Sequence, residues 1–383
     1  MNDDSQLLLL EEPQVKPVVR RPVRIRSSLP PEWLARGQIP GLDGLRGIAI
    51  LLVLLAHSAR TAGFPESSAL HSVVRHGHLG VDLFFVISGF LITTLLAREQ
   101  ERSGTINLRR FYTRRMLRIM PAATALIGVV ALLQVFGWAH LEFRDWCGAL
   151  TYTTNFLYHP AWELGHIWSL AIEEHFYLMW PFALSVLGFA AGWKVPPVCL
   201  VGCWLIRCGI ALLVPHFVSS ADATYYASMA ETWTFTRLDT ISMGCLVALS
   251  ARTVTGRAWL DRLTTPPLMA AYFLILIATL QISSAKFTLC VAYSVQAATI
   301  GLLLWGLIRR AGVCRHLLSH RLLTTVGLAS YSIYLWQQLF LHPGQAGWIY
   351  AFPQNAGLAL GAAALSFWLI ERPFNQFKDR IAR

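Results

Sequence analysis

The chain has 383 residues, of which 55% are apolar and only 14% charged, with a formal net charge of +11. Soluble domains carry about 25% charged residues, so the composition excludes a disordered, fibrous or disulfide-scaffold protein and points to a polytopic membrane protein. In such a protein the excess of Lys and Arg bears on orientation in the bilayer rather than on nucleic acid.

Residues 1–38 are polar and Pro-rich, with a basic run at Arg20, Arg21, Arg24 and Arg26. They read as a flexible cytoplasmic tail touching anionic lipid, or as a solvated linker. Apolar stretches follow at 44–59, 79–97, 119–139, 166–190, 196–215, 236–251, 266–283, 286–308, 322–342 and 354–370. They predict an all-α polytopic membrane bundle of about ten transmembrane helices. A weaker stretch, 146–158, contains Thr151, Tyr152, Thr153, Thr154 and Asn155 and reads as re-entrant or interfacial. With the N-terminus inside, 25 of the 32 Lys and Arg residues fall in cytoplasmic segments and about 5 outside. That bias predicts both termini in the cytoplasm. The expected organisation is a transmembrane domain over 39–375 and a short cytoplasmic tail over 376–383, with no soluble catalytic domain attached.

Ionisable groups inside spans are costly and are functional candidates. On the first span Arg46 and His57 are eleven residues apart, which places them on nearly one helical face, about 16 Å apart along the axis. Asp82 opens the second span at the depth of His57. On the fourth span His166, Ser169, Glu173 and Tyr177 form a polar stripe, whereas Glu174 shares a face with Ile167, Leu170, Ala171 and Leu178. Glu173 is therefore the acid expected to face a polar cavity. Arg207, Arg237 and Asp239 are further intramembrane charges that pairing with one another would satisfy. Arg109, Arg110, Arg114, Arg115 and Arg118 crowd one segment. They serve as a topological anchor, and their planar forks also suit phosphate. His71, His76 and His78 read as a solvated loop rather than a metal site, and the seven cysteines contain no CxxC.

Five motifs in order carry a resemblance. Leu42-Asp43-Gly44-Leu45-Arg46-Gly47 with His57 is the first, and Gly80-Val81-Asp82-Leu83-Phe84-Phe85-Val86-Ile87-Ser88-Gly89-Phe90 the second. Arg114-Arg115-Met116-Leu117-Arg118, Trp168-Ser169-Leu170-Ala171-Ile172-Glu173, and Ser330-Tyr331-Ser332-Ile333-Tyr334-Leu335-Trp336 with Glu371-Arg372-Pro373 complete the set. Over about residues 40–375 the chain resembles the integral-membrane acyltransferase 3 family. The resemblance implies acyl transfer, often acetyl, from cytoplasmic acyl-coenzyme A to a hydroxyl of a cell-envelope glycan, or of a small metabolite. It implies residence in the bacterial cytoplasmic membrane and, lacking the soluble domain fused to some members, single-domain or partner-assisted transfer. Arg46 and His57 match the family's R-x10-H motif, and Arg115 and Arg118 its RxxR motif. One departure is that Gln337 and Gln338 stand where the family often has a histidine.

The expected site therefore places His57 as general base or acyl-accepting nucleophile, with Asp82 or Glu173 orienting its ring. Arg46, Arg114, Arg115 and Arg118 would hold the phosphate-rich donor, and no metal is called for. The outer aromatics Trp138, Trp146, Tyr152 and Trp162 would stack on sugar rings or mark the membrane interface. The runner-up reading is a glycan transporter or flippase without chemistry, which also carries intramembrane charge.

Overall fold

The structure, a computed structural model, describes residues 31–35, 37–65, 76–310 and 312–381, which form helices and turns without a strand. The basic run Arg20–Arg26 and His71 lie outside the described residues. The principal helices are α1 (Leu42–Ser58), α2 (His78–Ser103), α3 (Leu108–Val135), α4 (Ile167–Gly192), α5 (Val195–Leu212), α6 (Thr234–Ser250), α7 (Tyr293–Arg309), α8 (Arg321–Leu328), α9 (Ser330–Trp336) and α10 (Gln354–Ser366). Local chemistry sets their ends. The α2 helix stops at Gly104, whose φ of 73° few side chains accept, and α3 starts where the Asn107 side chain accepts from the Arg110 N–H at 2.9 Å.

Five helical stretches are long and apolar enough to cross a membrane: His78–Ser103, Leu108–Val135, Trp162–Gly192, Val195–His216 and Ala285–Arg309. A sixth arises if Val254–Leu263 and Pro266–Leu280, bent by 68° at their junction, count as one broken span. The expected count was ten. Helices α1 and α6 hold 17 residues each, about 26 Å of rise against an apolar core of about 30 Å. The two C-terminal stretches are interrupted at Ala329, at Gln337–Leu339 and at the π-turn Phe367–Glu371. The last helix spans Arg372–Ile381.

Backbone meets backbone where α2 crosses α6. A Cβ on Gly89 would lie 1.9 Å from the Ile241 carbonyl oxygen, and one on Gly244 2.0 Å from that of Val86. Only glycine permits this approach, the close packing that membrane helices use where apolar burial gives little drive. The α1 helix packs on α8 in the same way, with a Cβ on Gly327 reaching within 1.8 Å of the Asp43 carbonyl oxygen.

Buried charge ties the same helices together. Arg207 on α5 pairs with Asp239 on α6 at 2.7 Å, both side chains fully buried. Its remaining N–H groups donate to the Leu289 carbonyl (2.9 Å), Ser294 Oγ (2.7 Å) and the Thr236 carbonyl. Arg237 on α6 pairs with Asp82 on α2, its guanidinium 4.0 Å from the Tyr293 ring centre. Either charge alone would be strongly destabilising at these depths.

Candidate active site

Two compartments meet in the middle of the bundle. The inner one, about 80 Å³, is lined by Arg46 from α1, Ser88 from α2, Arg115 and Arg118 from α3, Ser169, Glu173 and Tyr177 from α4, and Ser330, Tyr331 and Tyr334 from α9. The outer one, about 1080 Å³, is lined by His57 and Arg60, by His78, and by Trp162, His166, Trp168, Tyr334 and Gln338, among others. Val81 and Tyr334 line both and form the wall between them.

Helical periodicity explains the inner compartment. Arg115 and Arg118 lie three residues apart on one face of α3, and Ser169, Glu173 and Tyr177 repeat at four-residue spacing on α4. The Arg46 guanidinium donates to Ser330 Oγ at 3.1 Å. That of Arg115 lies 3.6 Å from the Tyr177 ring centre. Ser88 Oγ donates to Glu173 Oε1 at 2.5 Å and accepts from the Tyr177 hydroxyl at 3.0 Å. The lining thus carries three guanidinium groups and one carboxylate, with Glu371 and Asp43 in electrostatic reach of Arg118 and Arg46 but outside the lining. The guanidinium forks suit an anion with paired acceptor oxygens.

The wall is held by hydrogen bonds. The Tyr334 hydroxyl lies 2.5 Å from Ser169 Oγ and donates to the His166 carbonyl at 2.9 Å. Beyond it, Gln338 Oε1 accepts from the His166 N–H at 3.2 Å and lies 2.8 Å from His166 Nδ1. The His57 ring sits beside the Gln337 amide and 5.7 Å from the Trp162 ring, nearly edge-on. Among the described residues, His57 Nδ1, His166 Nε2 and both polar atoms of the Gln337 amide are buried without a hydrogen-bond partner. Buried polar atoms normally have one, so these are groups available to a ligand or to an exchanging proton.

The sequence-predicted residues thus divide. Arg46, Arg115, Arg118 and Glu173 come together in the inner compartment, and His57 stands alone of the set in the outer one. Asp82, expected near the imidazole, is engaged by Arg237, because that buried guanidinium needs the carboxylate more than a neutral ring does. Glu173 lies on the far side of the wall from His57, so neither acid touches the imidazole. Arg114 points away and meets Glu99 at 3.4 Å. Glu174, expected on an apolar face, lies in electrostatic reach of Arg115 and Tyr152. Among the described residues no group of three or more His, Cys, Asp or Glu is placed to hold a metal ion. Sequence reading singled out neither Tyr334, Ser88 and Ser330 nor Arg60 as site residues. The signal available was the Ser330–Trp336 motif itself, which carries two of the hydroxyls.

The family described as "Acyltransferase domain" matches residues 39–371. O-acetyltransferase OatA of Staphylococcus aureus, in strains NCTC 8325 / PS 47 and COL, is 30% identical over 339 residues, covering 82% of this chain and 51% of the relative. The chain thus spans about half the length of the curated relatives it matches. No solved structure matches. A family match that runs from just before α1 to the π-turn after α10, over both compartments, identifies the chain as a member of the acyltransferase 3 family.

Proposed function

We propose that this protein transfers an acetyl group from acetyl-coenzyme A to a hydroxyl of a cell-envelope carbohydrate, in the bacterial cytoplasmic membrane. The observation that carries the reading is the partition itself, with three arginines on one side of the wall and the His57 imidazole, beside the Gln337 amide, on the other. Arg46, Arg115 and Arg118 hold the phosphate-bearing donor and draw its thioester to the wall at Val81 and Tyr334. Glu173, with Ser88 and Tyr177, keeps the guanidinium groups spread and oriented. His57 takes the proton of the acceptor hydroxyl as its oxygen bonds to the acetyl carbon. The carbon–sulfur bond breaks, and the proton passes to the departing sulfur, leaving an ester and free thiol. The acetyl group is chosen over longer acyl groups because the matched relatives are named O-acetyltransferases.

Release of free thiol from acetyl-coenzyme A by the purified protein, dependent on added glycan, tests the reading. Turnover of this kind sets an enzyme apart from a flippase. Arg115→Ala and Arg118→Ala should each raise the KM for acetyl-coenzyme A about 10- to 150-fold, the loss of ~1.5–3 kcal/mol expected of a charge-assisted hydrogen bond to phosphate. Unchanged donor KM in both variants would remove the arginines from the binding role.

The proposed orientation has both termini in the cytoplasm and ten membrane passages, counting the interrupted C-terminal stretches and the two short helices as crossings. Two native cysteines report on it. Cys147 and Cys314 are both exposed, and the charge bias puts the first outside and the second inside. An impermeant maleimide added to intact cells should label Cys147 and spare Cys314, and a cysteine placed at Ser103 should likewise be spared. Labelling at Ser103 from outside would invert the plan.

A further inference from the structure

The outer compartment has a charge and an aromatic surface that the proposed reaction does not by itself require. Among its described lining residues are one arginine, Arg60, and four histidines, and no aspartate or glutamate. Arg60 is exposed and forms no ion pair among the described residues. Of the nearby acids, Asp82 is bound to Arg237 and Glu231 interacts with that same guanidinium, while Glu163, next to Trp162, does not line the cavity. An unpaired cation at a large cavity whose described walls carry no acid attracts an anion, and the low-dielectric walls strengthen the attraction.

The same arginine is built into an aromatic surface. Its guanidinium carbon lies 5.4 Å from the centre of the Trp162 ring. Trp162 is fixed in turn, its indole N–H donating to the Gln338 carbonyl at 3.0 Å and its ring flanked by His57 at 5.7 Å and His342 at 5.6 Å. A held indole is a stacking surface for the apolar face of a sugar ring. Trp162 therefore has the His57 ring at one side and the Arg60 guanidinium at another, and Arg60 also acts on His57 through its charge. A ring stacked there has one substituent at the cation and another at the imidazole.

We infer that the acceptor is an acidic sugar, bound on Trp162 with its carboxylate at Arg60, so that a neighbouring hydroxyl is presented to His57. This rests on the reading of the His57 compartment as the acceptor side. It makes Arg60 a specificity determinant that selects the acceptor. A phosphate on the sugar would satisfy the same guanidinium. The carboxylate is favoured because its two oxygens match one fork without adding a second charge beside the His57 ring.

The test uses membranes containing the full chain, acetyl-coenzyme A labelled in the acetyl group, and envelope glycans of the source organism split by anion exchange into neutral and acidic fractions. Label should enter the acidic fraction in a His57-dependent manner. Reduction of carboxylates to alcohols should remove most of it, whereas phosphatase treatment should not. In Arg60→Gln the KM for the acidic acceptor should rise at least about 10-fold, with the KM for acetyl-coenzyme A unchanged, and Arg60→Lys should restore part of the loss. His57-dependent label confined to the neutral fraction, or insensitive to carboxyl reduction, overturns the inference while leaving acyl transfer intact. A rise in donor KM on Arg60→Gln overturns it too, because the anion at Arg60 would then be the donor's. Absence of His57-dependent label from both fractions overturns the underlying reading and the inference with it.

Discussion

Replacing His57 with alanine is expected to abolish acetyl transfer while leaving affinity for acetyl-coenzyme A within a few-fold of the parent protein. The imidazole lines only the outer compartment, whereas the guanidinium groups assigned to the donor line only the inner one. Loss of a general base typically costs 10²–10⁴ in rate, and loss of a covalent nucleophile more. His57→Gln separates loss of the ring's chemistry from loss of its packing. It keeps a polar group beside Gln337 and Trp162 but cannot hold a proton near neutrality, so it should be nearly as inactive as the alanine variant. Equilibrium binding of labelled acetyl-coenzyme A and single-turnover transfer, measured on the same preparations, are the needed observables. Parallel loss of binding and transfer would mean that the ring supports the fold of the bundle rather than the reaction.

Glu173→Gln should lower kcat/KM at least about 10²-fold, and Glu174→Gln far less. Glu173 is the carboxylate that lines the inner compartment, where it accepts from Ser88 and faces three guanidinium groups. The glutamine keeps the shape but removes the one carboxylate that lines the compartment beside Arg46, Arg115 and Arg118, leaving only Asp43, Glu174 and Glu371 outside the lining to offset their mutual repulsion. Donor binding then recruits arginines that are no longer held in place. Glu174 is off the lining and interacts with Tyr152 and with Arg115 at the edge of the cluster. A steady-state comparison of the two variants, with folding checked by thermal unfolding in detergent, decides between them. Inactive Glu174→Gln beside a nearly normal Glu173→Gln would reverse the assignment of the two acids and break up the inner compartment described above.

Much of the inner compartment was legible because it is written in single-helix periodicity. The four-residue spacing of Ser169, Glu173 and Tyr177, and the three-residue spacing of Arg115 and Arg118, fix which side chains share a face before any partner is known. What periodicity cannot reach is choice of partner. Asp82 has Arg237 as its partner across 155 positions of sequence. Nothing local to Asp82 distinguishes that pairing from one with His57, which lies on the helix packed next to it. Tyr334 is joined to Ser169 across 165 positions and Gln338 to His166 across 172, so the wall between the compartments was hidden for the same reason. The glutamines standing in the family's histidine position look like a loss in sequence. In the folded chain one caps the His166 ring and the other lies against His57. Hydropathy also registers apolar length alone and is blind to the breaks at Ala329 and at Phe367–Glu371 that divide the C-terminal helices.

The glycine crossing of α2 and α6 has a mechanical consequence. Where side chains interdigitate, helices can slide by changing rotamers, but at Gly89 and Gly244 there are no rotamers to change, and any displacement separates backbone from backbone. With Asp82 latched to Arg237 at one end, the pair behaves as a single stiff beam. Val81, Phe85 and Ser88 project from that beam into the site and form its stationary jaw. The opposite jaw is α9, only seven residues long, with a break at Ala329 before it and a 3₁₀ turn at Gln337–Leu339 after it. A short helix between two breaks is the cheaper part to move, so any adjustment of the wall falls to Tyr334 and its helix. Stiffening the break at Ala329 would hold the wall in place without touching a residue that lines either compartment.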